Sequence, residues 1–199
     1  HNRPQNLQEQ AAVKKDYRAF RENGRAQPIA WDTAGNERTA EEHTPEEILA
    51  ECERRWDMGG LYFYGTFADL LVGKEANDIV AEFVRSKIRE RVEDPALAEL
   101  LSPDTIFGCK RVCADTDYFE TYNRPNVALV DIAKTGIDQI LADGVRANGQ
   151  DYTVDAIVTA TGFDAMTGSL DRIDITGKGG LKLKEKWHAG PRTYLGLTT

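Results

Sequence analysis

Two short stretches of the chain hold residue types that could do chemistry. In residues 151–164, DYTVDAIVTATGFD, an alternating apolar run ends in Ala160-Thr161-Gly162, with Phe163-Asp164 directly after it. Gly162 has no Cβ, so the chain can turn sharply there and a ligand can come close to the main chain. Phosphate and ribose groups are the usual guests at such strand ends. In the second stretch, FGCKR at 107–111, two adjacent cations, Lys110 and Arg111, follow a glycine. As a bare dipeptide they read as loop residues in solvent. Asp164 reads equally well as a turn-former that caps its own backbone.

The elements that must position these residues differ between the two halves. Residues 126–132 (NVALVDI), 136–141 (GIDQIL) and 144–147 (GVRA) read as short strands, with Gly144 and Gly149 at the turns. Together they form a β-meander feeding the strand that ends at Thr161-Gly162. The first half is helical. Leu7, Ala11, Ala12, Tyr17 and Phe20 fit one face of a helix over residues 5–23 that Gly24 would end. A polar loop broken by Pro28 and Gly35 follows. Thr44-Pro45-Glu46-Glu47 then has the form of a capping box, Ile48, Leu49, Cys52 and Trp56 make an apolar stripe, and Gly59-Gly60 is the stop. Residues 61–72 (LYFYGTFADLLV) read as a buried helix or a kinked pair. A longer helix is expected over 76–92, where Ile79, Val80, Phe83, Val84, Ile88 and Val92 recur at helical spacing, and Asp94-Pro95 starts a short one to Leu101. The fold class is therefore α+β or α/β. Residues 1–102 form a helical subdomain and residues 103–199 a strand-rich part, with a change of layer near Ser102-Pro103.

Composition narrows the function. The chain has 199 residues, 41% hydrophobic and 29% charged, which is ordinary globular material. A net charge of −8 argues against nucleic acid or an anionic membrane surface as the main partner. No apolar run approaches the roughly 20 residues that span a bilayer, and HNRPQNLQEQ at the start lacks a signal-peptide core. The expected location is the cytoplasm. Cys52, Cys109 and Cys113 read as free thiols, and neither they nor His1, His43 and His188 show metal-ligand spacing. Ser86, Ser102 and Ser169 sit in no nucleophile-elbow pattern. TGKGG at 176–180 reads as a hairpin turn, since Leu181-Lys182-Leu183 alternates after it.

Several motifs in fixed order carry a resemblance. IFGCKRVCADTDYFETY at 106–122, NRPNV at 123–127, ATGFDAMTG at 160–168 and KEKWHAGPRTYLGL at 184–197 together resemble the central to carboxy-terminal part of a Baeyer–Villiger monooxygenase. ATG alone is common to many flavoproteins with two dinucleotide-binding domains; the joint order and spacing are far more specific. The resemblance is close from about residue 107 to the end and looser before it. It implies FAD and NADP as cofactors, a ketone and O2 as substrates, and a helical subdomain inserted in an NADP domain before the chain returns through strands towards an FAD domain. It also implies that Arg111 lies beside the flavin as a fixed positive charge for activated oxygen, a task that suits a planar, permanently protonated guanidinium. Its acidic partner would lie elsewhere in the full enzyme. Lys110 resembles the contact to the NADPH ribose and 2′-phosphate, and Thr161, Gly162, Phe163 and Asp164 are cofactor-contact candidates. Trp187 is a structural anchor, and Tyr118, Phe119 and Tyr122 read as packing aromatics.

The chain contains no GxGxxG. The expectation is therefore a partial chain that belongs with the remainder of a parent polypeptide and is inactive alone. Two alternatives stay open: another two-dinucleotide flavoprotein, of N-hydroxylating, dimethylaniline-type or disulfide-reductase kind, and a non-catalytic acidic binding module.

Overall fold

The computed structural model describes residues 4–27, 34–164 and 167–194. It divides into two compact units, His1–Asp131 and Ile132–Thr199.

The first unit is built from local helix signals. Asn6 caps α1 (Leu7–Lys15) and Asp16 caps α2 (Tyr17–Ala26). The single helix expected over 5–23 is thus broken at Asp16, whose side chain accepts from Ala19 N at 3.0 Å and starts a new helix. Gly24 lies inside α2 and ends nothing. Helix α3 (Pro45–Met58) has the expected box: Glu47 N donates to Thr44 Oγ1 at 3.3 Å, and Thr44 N donates to Glu47 Oε2 at 3.0 Å. Gly59, at φ 74°, closes it, a conformation that costs glycine little.

Residues 61–72 are neither an α-helix nor a pair of them. A 3-10 turn (Gly60–Gly65) and further turns bury Phe63, Phe67 and Leu70 without a continuous helix. Gly65 in mid-segment weakens a helix, although Phe63, Phe67 and Leu70 stand at helical spacing; tertiary burial, not propensity, holds these turns. Helices α4 (Lys74–Arg91) and α5 (Pro95–Leu101) follow, the latter capped by Asp94.

Two apolar clusters result. Cys52, Phe63, Phe67, Leu70, Val80 and Phe83 centre the larger one, and Ile88, Val92 and Ala98 the smaller. Residues 103–131 belong to this unit: Phe107 packs on the larger cluster and Phe119 on the smaller. The boundary expected at residue 102 lies within this unit, which runs on to Asp131.

The second unit contains an antiparallel meander, β1 (Ile137–Ile140), β2 (Gly144–Ala147) and β3 (Gln150–Thr153), in the order β1-β2-β3. Asn148 and Gly149, both at positive φ, make the two-residue β2–β3 turn. Gly144 serves differently from the turn role expected of it. It opens β2 opposite Thr153, with the Tyr152 carbonyl where a Cβ would stand.

Residues 126–132 form no strand, and the ladder of β3 stops at Thr153, so residues 154–163 do not pair as a strand among the described residues. A strand needs a neighbour to satisfy its backbone, and here Val158 is 86% exposed. Thr176 bridges Lys182 across the expected TGKGG turn, while α6 (Gly168–Asp171) and α7 (Leu183–Lys186) are single turns.

Candidate functional site

Helix α4 is the rail on which the Lys110-Arg111 segment is mounted. Near its start, buried Asn77 takes both backbone groups of Phe107: Phe107 N donates to Asn77 Oδ1 at 2.9 Å, and Asn77 Nδ2 donates to Phe107 O at 2.9 Å and Leu70 O at 3.2 Å. Midway, Arg85 Nε donates to Pro103 O at 3.0 Å. At its end, Asn123 Nδ2 donates to Arg91 O at 2.7 Å while its Oδ1 accepts from Glu93 N at 2.9 Å. Arg91 pairs with Asp115 at 3.0 Å and with Glu120 at 3.5 Å.

Much of the DTDYFETYNR motif is therefore a clasp. Asp115, Glu120 and Asn123 tie the loop to the helix end, and Phe119 plugs the smaller cluster. Tyr118 and Tyr122 pack edge to face with hydroxyls 3.0 Å apart, outside any strand. That hydrogen bond is the main reason the Tyr122 hydroxyl is held above its ordinary pKa.

Between the clasps, Gly108 adopts φ 87°, and a Cβ there would meet Leu71 Cδ2 and Tyr64 Cε1 at 3.1 Å. Only glycine suits both the dihedral and the space. Val112 N donates to Tyr64 Oη at 3.4 Å. The exposed side chains of Lys110 and Arg111 stand between these anchors and line one cleft of 240 Å³, whose floor includes Ala81, Val84, Ile106, Phe107 and Val112. Neither cation is paired with a carboxylate among the described residues.

The second unit carries Thr161, Gly162, Phe163 and Asp164, all exposed. Gly162 has φ 79° and open space where a Cβ would point, and Phe163 is 99% exposed. Asp164 pairs with Arg172, an occupant that the sequence did not suggest. Ala165 and Met166 of the same motif lie outside the described residues. Trp187 is buried, its Nε1 donating to Arg192 O at 3.2 Å, as an anchor should.

Asn77, Asn123 and Arg55 were missed by sequence reasoning, yet two left a signal. Asn77 is three residues before Val80 on the buried face of α4, and Arg55 is three after Cys52 on that of α3. A polar residue on an apolar stripe is usually tied to something specific. Leu49, assigned to the α3 stripe, is exposed instead. Cys109 and Cys113 are exposed free thiols, whereas burial first, then nearby Glu51 and Glu53, pushes the Cys52 thiol up to about 12. His43 is engaged by Asn36 and the Thr39 carbonyl. Among the described residues no group of His, Cys, Asp or Glu could hold a metal ion, and no helix is long and apolar enough to cross a membrane.

No family model matches the chain. Single proteins do. The 2-oxo-Delta(3)-4,5,5-trimethylcyclopentenylacetyl-CoA monooxygenase of Pseudomonas putida is 52% identical over 139 residues, 69% of this chain and 25% of that protein. A Baeyer-Villiger monooxygenase of Pseudooceanicola batsensis is 33% identical over 199 residues, 98% of this chain and 36% of its own length. A phenazine N-monooxygenase of Lysobacter antibioticus is 38% identical over 157 residues, 77% of this chain and 29% of that one. Among solved structures, OTEMO in complex with FAD and NADP superposes with a TM-score of 0.91 at 41% identity, over 98% of this chain and 36% of that one. An oxidized steroid monooxygenase bound to NADP gives 0.89 at 45%, over 98% of this chain and 38% of that one.

By sequence and by fold, then, the chain matches one stretch of flavoprotein monooxygenases. It belongs to the Baeyer–Villiger monooxygenase family and spans about a quarter to a third of the length of those relatives.

Proposed function

We propose that this chain is the helical and meander part of an FAD- and NADPH-dependent monooxygenase that places one atom of O2 beside a ketone carbonyl, giving an ester or lactone. The observation that carries this reading is the joint presence of Lys110 and Arg111 in one cleft with an apolar floor. The residues present fit such guests: two cations with no carboxylate partner among the described residues on one unit, and on the other a glycine with open space above it beside a fully exposed phenylalanine. FAD, when bound and reduced by NADPH, would supply the activated oxygen.

Arg111 provides a fixed positive charge where negative charge develops on oxygen. Its anchored backbone above an apolar floor holds that charge preorganised for the negative charge that develops. Lys110 offers a compact ammonium to the 2′-phosphate of the nicotinamide cofactor. Thr161, Gly162 and Phe163 present backbone and ring to a cofactor, and Asp164 reaches it on release from Arg172. In the finer architecture, the helices are an insert of the NADP domain and the strands run towards the FAD domain of a two-dinucleotide fold; the remainder of the polypeptide completes both.

In the full-length protein, Arg111→Ala leaves NADPH-driven flavin reduction intact and lowers ester formation by about 10²- to 10³-fold, the usual cost of one preorganised donor. A normal product yield would remove the role given to Arg111. Lys110→Ala raises the KM for NADPH more than that for NADH; equal losses would remove the phosphate contact. The Lysobacter relative favours one second reading, oxygenation of an aromatic nitrogen. Turnover of phenazine with no turnover of any ketone would establish it.

A further inference from the structure

The loop that carries Lys110 and Arg111 is held by Asn77 at one end and by Tyr64 at the other. Val112 N donates to Tyr64 Oη at 3.4 Å, across 48 positions of the chain. The Tyr64 ring meets that of Phe107 with centroids 5.5 Å apart. Its Cε1 is also one of the two atoms that a Cβ on Gly108 would meet at 3.1 Å. One half-buried side chain therefore bears on residues 107, 108 and 112, on both sides of the cation pair.

The contact at Val112 matters most for Arg111. The Val112 amide and the Arg111 carbonyl belong to one planar peptide unit, so holding that N–H restricts ψ of Arg111 and the direction in which its side chain leaves the loop. On the other side of the same unit, Cys113 Sγ donates to Arg111 O at 3.7 Å. The Arg111 guanidinium has no carboxylate partner among the described residues, so what these contacts fix is the backbone beneath it. Tyr64 is itself firmly mounted. Thr66 Oγ1 donates to Phe63 O at 2.6 Å and Asn36 N to Gly65 O at 2.9 Å, which pins the 3-10 turn on either side of it. A tyrosine has only two side-chain torsions between its backbone and its ring, so little freedom is lost in holding the oxygen in place.

We propose that Tyr64 is a positioning residue for Arg111: its hydroxyl holds the Arg111–Val112 peptide and so keeps the guanidinium where negative charge develops on oxygen. The role rests on the reaction proposed above, whereas the hold on the loop stands on the geometry alone.

Tyr64→Phe in the full-length protein tests both, since it removes the hydroxyl and keeps the ring. Hydrogen exchange, read residue by residue by mass spectrometry, should speed up about five-fold at the Val112 amide, the equivalent of one hydrogen bond. The Phe107 amide, held by Asn77, should keep its rate. By the same conversion kcat for ester formation should fall about five-fold, with the KM for NADPH and the rate of flavin reduction unchanged. In an Arg111→Ala background the substitution should cost nothing further, because no guanidinium is left to place. A tyrosine that only stabilised the fold would lower product formation equally in both backgrounds.

Unchanged exchange at Val112 would overturn the hold, and with it the proposal. Full ester formation in Tyr64→Phe, or an equal loss in the Arg111→Ala background, would overturn the positioning role. The two readings fail separately: a normal rate in Arg111→Ala overturns the reaction and the role that rests on it, whereas a loss there with none in Tyr64→Phe overturns the role of Tyr64 alone.

Discussion

The two units bury their apolar side chains very differently. The first encloses two clusters and holds even polar Arg55, Thr66 and Asn77 out of solvent. In the second, among the described residues, Ala147, Leu183 and Trp187 are the buried apolar side chains, while Ile137, Ile140, Val158, Phe163 and Ile173 are exposed. Helices satisfy their backbone locally and need only one face covered. A short three-stranded sheet needs a layer against it before its strands gain much from burial. The same chain thus contains a unit that carries its own core and another that carries a surface. The unit with a core holds Lys110 and Arg111; the open one holds Thr161 to Asp164.

The contrast breaks most readily at the buried ion pair of the first unit. Glu51→Gln strands the Arg55 guanidinium in the interior, and unfolding in urea should show a loss of about 3 kcal/mol, the usual cost of removing one partner of a buried pair. Acid should act the same way. Burial pushes the Glu51 carboxyl up, but hydrogen bonds from Arg54 and Arg55 outweigh it and hold the pKa below the ordinary 4.5. The unfolded chain therefore binds this proton more readily. Glu51's contribution is complete above about pH 4.5 and is lost as pH falls through the depressed value. A stability profile flat across that window, or unchanged in the Gln variant, would contradict it.

Next comes Asn77→Ala, which leaves the amide and carbonyl of Phe107 without partners and should cost about 2 kcal/mol. The same change loosens the mount of Lys110 and Arg111, so the full-length variant should lose product formation more than it loses melting temperature. At the small end, Ile140→Thr in the second unit should move stability by less than about 0.5 kcal/mol, because that side chain is already exposed. A loss of several times that would mean that the meander buries this face after all.

Much of the helical half was legible in advance, because its signals are local. Thr44, Pro45 and Glu47 announce α3, Gly59 ends it, and Asp94-Pro95 opens α5. The β2–β3 hairpin was legible through its turn glycine, and the order of the motifs singled out Lys110 and Arg111, which line one cleft together. Less was readable where the outcome depends on distant partners. The alternation in residues 151–164 is sound, yet its ladder ends at Thr153, because pairing is made by a neighbouring strand and not by the strand itself. Asp16 split an otherwise acceptable helix through a cap that competes with continuation.

By itself, then, the order of amino acids determined the Thr44 and Asp94 caps, the Gly59 stop, the β2–β3 turn and the family to which the chain belongs. All of these follow from short-range sterics and hydrogen bonding, or from motif order. Only the tertiary structure decided that Asn77 and Asn123 hold the cationic loop along α4, that Arg55 is buried against Glu51 and the Ala34 carbonyl, and that Asp164 is paired with Arg172. Those contacts, other than Arg55 with Glu51 and the last, join residues 21 to 32 positions apart in the chain. Their energies depend on burial and geometry that no local pattern encodes.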